Sequence, residues 1–433
     1  MISKSKLQVL VASFVFALSS CGYSRFVQIP TSNKISPASP TITIDQFHYQ
    51  VGVAKAIITP PHNTWLAGFN PIRSATGVHD NLEIRVLSLV DPSGKIFSFI
   101  TADFIGFMYT DYLRLKQLVN ISNINVFVFS SHTHSGPDMI GIWGALPFTS
   151  GRDENYINSV VNQMGLLVYE SLSTLRQAEI YQSDISADGF SKNRREHFLD
   201  TTLSVLTFVN IETNHIIGTI VNFGCHPEVI KRKNRLISSD FVGSLRDELD
   251  RELDTTTLFI NGALGGMVQP NMKWKDDEPF ETRDKFGKNL ANLAIKALTK
   301  TNNIPVGPIN HSTKTIKIPL TNNKFWLAAI LGFIPHREAV LSRIITTEVS
   351  VIKLGDFAIV AVPGEIVPEL GLEIKRIGGV GTQTWSLAND EIGYILVKEK
   401  FFAHTFKYES TMSIGPDAGP IVMNAVEKLL KNR

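Results

Sequence analysis

The sequence predicts an α/β fold. Three observations carry that expectation. Short apolar runs of strand length recur, and each ends in polar, chemically capable residues. Longer segments with apolar residues at helical spacing lie between some of them. Hydrophobic residues make up 43% of the 433 positions, enough for a large buried core and unlike a disordered chain.

Taken in chain order, the run 95–101 leads into Ala102 and Asp103. The run 124–130 leads into His132 and His134. The run 216–221 leads into Asn222 and then Cys225, His226 and Pro227. The run 257–260 leads into Asn261 and Gly262, and 357–362 into Pro363, Gly364 and Glu365. The run 384–387 leads into Asn389 and Asp390, with Tyr394 slightly beyond. Segments 111–119, 154–175, 243–253 and 286–298 carry the helical period. Alternating strands and helices define the α/β class. Ligands in such folds sit beyond the carboxyl ends of strands, so these polar groups are expected to converge.

The most informative stretch is Ser131-His132-Thr133-His134-Ser135-Gly136-Pro137-Asp138. Two histidines one residue apart would project from a strand on the same side. Gly136 and Pro137 then turn the chain. Taken alone, a His-x-His reads as a polar strand end that caps backbone groups; the rest of the chain reverses that reading. His226 and Glu365, from two further strand ends, complete a ligand set of the kind zinc takes, with one position left open for water.

Charge excludes little and suggests less. The formal net charge is +2, which gives no field for nucleic acid. Lys231-Arg232-Lys233 reads as a solvated loop. The N-terminus reads as a targeting segment: Lys4 and Lys6, then a short apolar run over 7–18, then Leu18-Ser19-Ser20-Cys21-Gly22. That pattern resembles a bacterial lipobox, with residues 1–20 as the signal peptide and Cys21 as the lipidated residue. Two or more acyl chains on Cys21 would anchor the protein stably at the cell envelope. Residues 21–48 read as a Ser-, Pro- and Thr-rich tether, and 49–433 as the folded domain. With Cys21 lipidated, Cys225 has no disulfide partner and reads as a buried apolar thiol. The apolar segment 325–335 is too short to span a bilayer; a core helix is the expectation, and a lid that faces a membrane the alternative.

The chain resembles the catalytic domain of the neutral (alkaline, non-lysosomal) ceramidases. The matching pieces run from Ile57-Ile58-Thr59-Pro60-Pro61 and Leu66-Ala67-Gly68-Phe69, through Gly77-Val78-His79-Asp80 and Arg85, to the block that starts at Ser131. They continue with Asn193-Arg194, Asn222 to Pro227, Asn261-Gly262-Ala263, Pro363-Gly364-Glu365 and Tyr408-Glu409-Ser410-Thr411. The resemblance covers roughly Val51 to the C-terminus, and the family's C-terminal immunoglobulin-like domain is expected to be absent. It implies a layered sandwich with helices over central sheets. It implies a zinc ion held by His132, His226, Glu365 and Tyr394, with His134 acting on substrate or water and Arg194 near the reacting carbonyl. The implied activity is cleavage of an amide bond in an N-acyl lipid such as ceramide, as part of sphingolipid metabolism. Alternatives are a metal-dependent hydrolase of another amide or ester, and a non-catalytic lipid-binding envelope lipoprotein.

One departure stands out. The family carries a serine in a turn that here reads Gly265-Gly266-Met267-Val268-Gln269-Pro270-Asn271. Gln269 occupies the serine position, and an acid of the pattern is replaced too. Glutamine is no nucleophile, although its amide N–H can stabilise an oxyanion. Asp103 reads either as a partner that orients a ligand histidine or as an ordinary strand-end acid.

Overall fold

The computed structural model describes residues 42–431, apart from 62, 70–72, 147–148, 273–277 and 333–341. The expected signal peptide, Cys21, most of the tether and residues 333–335 of the apolar segment lie outside the described residues.

Two mixed sheets form the centre. The larger has nine strands: β1 (Tyr49–Ile57), β2 (Glu83–Val90), β3 (Ile96–Ala102), β4 (Ile124–Ser130), β5 (Arg176–Ser186), β6 (Thr202–Asn210), β7 (Ile216–Phe223), β8 (Thr256–Asn261) and β9 (Asn302–Ile304). Their spatial order is β8-β7-β6-β5-β1-β2-β3-β4, with β9 beside β5. The smaller sheet runs β10 (Asn310–Pro319), β11 (Ile344–Leu354), β12 (Phe357–Ala361) and β13 (Thr382–Trp385) in that order.

Three neighbouring pairs are parallel: β3 with β4, β7 with β8, and β12 with β13. A parallel pair needs a crossover, and each of these has a helix for it. They are α1 (Tyr109–Leu118), α3 (Phe241–Leu253) and α6 (Pro368–Gly378). The remaining long helices are α2 (Glu154–Ser173), α4 (Pro279–Ala297), α5 (Asn323–Ile330) and α7 (Ala418–Lys431). Local chemistry places several starts. The Asp153 carboxylate accepts from the N–H groups of Asn155 and Tyr156 and caps α2. Asp240 does the same at Phe241 for α3. Prolines open α4 and α6, where a missing N–H costs nothing.

Strand alternation builds four layers. Leu87, Phe97, Phe99, Phe127 and Phe129 face the second sheet and meet Ile352, Ile359 and Trp385. The alternate residues Val86, Ile100, Val126 and Val128 pack under α1 and α2. Val205, Val221 and Phe259 pack under α3 and α4. The outer face of the smaller sheet, with Ile318, Val349 and Val360, is covered by Ile374 of α6 and Val422 and Val426 of α7. The layered sandwich expected from the resemblance is the fold observed.

The apolar segment at 325–335 departs from a plain core helix. On α5, Ala328 and Ala329 are buried, whereas Leu327 is 52% exposed, Ile330 43% and the following Leu331 49%. Helical geometry puts the two sets on opposite faces. Among the described residues, no helix is long and apolar enough to cross a membrane.

Candidate metal centre

Loops after the three parallel pairs meet at one place. Beyond β4, Ser131 N–H donates to Ala102 and His132 N–H to Phe104, which continues the pairing past the strand end. Asn261, the last residue of β8, donates from Nδ2 to the Ser131 carbonyl at 2.8 Å. Ser386 N–H donates to the Asn261 carbonyl, and Asn389 exchanges two hydrogen bonds with Val128. The polar strand ends thus tie the two sheets together while they place the histidines.

His132 and His134 do come together, with ring centroids 5.1 Å apart. The cause differs from the strand pleat expected. β4 ends at Ser130, and His132 has φ +70°, a left-handed conformation uncommon outside glycine. A turn, not a continued strand, aims the two rings.

The tautomers follow from backbone contacts. His132 Nδ1 donates to the Ile105 carbonyl at 2.5 Å. His226 Nδ1 donates to the Val268 carbonyl at 2.8 Å. Each ring therefore turns Nε2 to the same atom: Glu365 Oε2 lies 3.5 Å from His132 Nε2 and 2.9 Å from His226 Nε2. Two imidazole lone pairs and an anionic oxygen at such range need a proton or a cation between them. Pinning Nδ1 on a carbonyl so that Nε2 faces a metal is the usual arrangement of ligand histidines. One nitrogen each of His132, His134 and His226 lies within 4.8 Å of the others, and His132, Glu365 and Glu391 form a second such group. All are buried. The residues present fit a divalent cation.

Electrostatics follow the same geometry. Burial would raise the Glu365 carboxyl, but His132 and His226 outweigh it and hold it well below the usual carboxylate range. Burial would lower His226, yet its bond to Glu365 pushes it up. Burial and the neighbouring imidazoles of His132 and His226 push His134 well down, so it is neutral. Both ring nitrogens of His134 are buried without a partner. Its place is set by Phe69, whose ring meets it edge-on at 4.7 Å, and by Arg73, which donates to the His134 carbonyl at 2.6 Å. Burial raises the Tyr394 hydroxyl well above normal, with Glu365 adding to it. That hydroxyl sits 3.7 Å from Met267 Sδ. Tyr394 reaches the centre because Tyr394-Ile395 pairs in parallel with Glu365-Ile366.

The centre is the polar end of a largely apolar cavity. His132, His134, Glu365, Glu391 and Tyr394 line that end; Met108, Trp143, Phe325, Ile345 and Ile414 are among the apolar walls. Arg194 and Gln269 lie outside this lining. Arg194 is exposed and donates to Gln269 Oε1 at 3.3 Å. Gln269 is on the strand Val268–Pro270, next to the Val268 carbonyl that holds His226, and Arg194 directly follows the paired strand Ser191–Asn193. Asp103 takes the structural alternative: Arg246 grips it with two bonds of 3.0 and 2.7 Å, and it accepts from Glu83 N–H. Cys225 is free and buried. Glu391 is the cavity residue that sequence reading passed over, since an acid after Asn389-Asp390 looks like a solvated turn.

The fold and this centre define a class: an α/β sandwich with a buried imidazole–carboxylate cluster of metal-ligating type. Comparison with known proteins narrows it. No family model matches the chain. Over 243 residues the chain is 28% identical to the neutral ceramidase of Drosophila pseudoobscura pseudoobscura, a match of 50% of this chain and 34% of that protein. The Drosophila melanogaster neutral ceramidase is 27% identical over 250 residues, with the same coverage. The match thus spans about a third of the length of these curated relatives. The crystal structure of neutral ceramidase from Pseudomonas aeruginosa superposes with a TM-score of 0.76 at 18% identity, over 89% of this chain and 74% of that one. A ceramidase complexed with C2 gives 0.74 at 17% identity, over 89% and 75%. The fold is thus that of these ceramidase structures, and half of the chain is similar in sequence to curated neutral ceramidases.

Proposed function

We propose that this chain is a zinc-dependent hydrolase that cleaves the amide bond of a ceramide-like N-acyl lipid. The observation that carries the reading is the buried cluster of His132, His226 and Glu365 at the polar end of an apolar cavity. Apolar pockets with a few convergent polar groups suit long-chain ligands whose reacting atoms lie at one end. His132, His226, Glu365 and Tyr394 would hold the cation. When bound, it supplies a Lewis acid for the amide carbonyl and lowers the pKa of water. His134 is neutral, with both nitrogens free, so it can take a proton from water or give one to the leaving amine. Arg194 and Gln269 offer N–H donors beside His226 for a substrate oxygen. The apolar walls bind the chain and exclude water.

The exposed Leu327, Ile330 and Leu331 flank this cavity on the outer face of α5, while Phe325 and Ala329 of the same helix line it. That arrangement supports entry of the substrate from a membrane surface. The lipobox-like Leu18-Ser19-Ser20-Cys21 supports anchoring of the chain at the bacterial cell envelope through Cys21. Radiolabelled palmitate that labels wild type and spares Cys21→Ser would support the anchor; labelling of both would reject it.

Gln269 at the family's serine position favours a second reading, in which the amide or ester cleaved is not ceramide. The test combines metal analysis with substrates. Protein purified without added metal is expected to hold about one zinc per chain. It is expected to release fatty acid from fluorescent ceramide. Activity confined to other N-acyl amides or esters selects the second reading. Absence of both metal and activity would leave the lipid-binding alternative.

A further inference from the structure

Glu391 is the one acid in the cavity that the resemblance leaves without a role. It is 8% exposed and lines the polar end. Its Oε1 accepts the Gly393 N–H at 2.8 Å, while Oε2 is buried with no partner. A buried carboxylate oxygen without a donor is costly. Its position is imposed by its neighbours. Asp390 Oδ1 accepts the N–H groups of Tyr109 and Glu391, and the Asp390 carbonyl accepts from Gly364, which fixes the backbone. A Cβ at Gly106 would lie 2.6 Å from Cβ and Cγ of Glu391, so bare backbone at 106 makes room for this side chain.

The geometry then aims Glu391 at the cluster. One of its oxygens, a nitrogen of His132 and an oxygen of Glu365 lie within 4.8 Å of one another. Charge counting points the same way. A divalent cation on two neutral imidazoles and one carboxylate would leave one positive charge uncompensated among apolar walls, which is unfavourable. A second carboxylate cancels it. Tyr394, the other possible anion, keeps its hydroxyl against a methionine sulfur, a weak acceptor.

We propose that Glu391 is a further ligand of the cation, added to His132, His226, Glu365 and Tyr394. This rests on the metal-centre reading above. The added oxygen donor should also widen the range of cations accepted, since carboxylates suit manganese as well as zinc.

The test uses the full chain, stripped of metal by a chelator and titrated with Zn²⁺ against a chromophoric competitor. Wild type, Glu391→Gln, Glu391→Asp and His132→Ala are compared, with folding checked by circular dichroism. Glu391→Gln keeps the size and the bond to Gly393, and is expected to weaken zinc about tenfold to a hundredfold. Glu391→Asp, which shortens the reach, should fall between, and it serves alone if the glutamine variant does not fold. Cobalt(II) loaded into wild type and Glu391→Gln should give d–d bands of different intensity, because the number of ligands differs. Zinc affinity and cobalt spectra unchanged in the Glu391 variants, with zinc lost in His132→Ala, would overturn the assignment and leave the centre standing. A wild type that binds no cation would overturn both.

Discussion

Gly68 offers the sharpest perturbation of the site through its backbone. Its φ is +94°, and a Cβ built there would lie 2.5 Å from Cγ and 2.7 Å from Nδ1 of His134. Ordinary carbon contacts begin near ~3.5 Å, so the overlap is about 1 Å. Gly68→Ala therefore carries two costs. The backbone cost of a side chain in this region is about 1–3 kcal/mol. Overpacking against the ring adds about 1–3 kcal/mol. Gly189 separates them: its φ is +82° and nothing stands within 4 Å of its would-be Cβ, so Gly189→Ala carries the backbone cost alone. Urea melts of both variants should place Gly68→Ala below Gly189→Ala by the packing cost. Displacement of His134 should also lower turnover of whichever N-acyl substrate wild type cleaves. A positioned proton donor or acceptor is worth about 10²–10⁴-fold. Zinc content should fall far less than in His226→Ala. Equal stability of the two variants, with full turnover in Gly68→Ala, would refute this account of how His134 is held.

Arg246→Ala strands Asp103 as a buried carboxylate without its partner, and should cost about 3–5 kcal/mol in a chemical melt. A loss under 1 kcal/mol would mean that Asp103 finds water or another donor. His311 packs edge-on against Phe97 and Phe127, and burial, with Lys116 and Lys95, lowers its pKa to about 4. Its folded pKa lies below the unfolded value of ~6.5. Its share of stability is therefore intact above ~6.5 and is lost as pH falls toward 4. Its partial exposure limits that loss to about 1–3 kcal/mol. Melts at pH 7 and pH 4.5 should show a smaller acid loss for His311→Phe than for wild type; parallel losses would count against it. Leu327→Asp and Leu331→Asp alter exposed positions and should change stability by no more than ~0.5 kcal/mol. If α5 meets the membrane, each should weaken vesicle binding about tenfold, the worth of one buried leucine, and spare a soluble short-chain substrate. Unchanged co-sedimentation with vesicles would remove α5 from the docking face.

Periodicity made the α/β class and the crossover elements legible. The runs at 124–130, 216–221 and 257–260 stand within a few residues of β4, β7 and β8, because buried parallel strands are continuous apolar runs. The long antiparallel strands β5 and β10 were less visible. β10 has exposed or half-exposed residues at most positions, so its pattern resembles loop. The histidines and Glu365 stood out because strand ends in such folds collect ligands.

What the chain determines by itself is local: the period of each element, the caps, the turn residues, and three strand ends that carry ligand-type side chains. What only the tertiary structure decides is which side chains share a cavity and which way each one points. Asp103 and Glu391 are both acids just past an apolar strand. One is gripped by Arg246 from α3 and the other keeps a free oxygen beside His132 and Glu365. The same limit applies to α5, whose apolar residues divide between the cavity and solvent. Hydrophobic and ionic groups carry no address in the sequence. Their partners come from elements hundreds of residues away, and only packing of the two sheets brings those elements into contact.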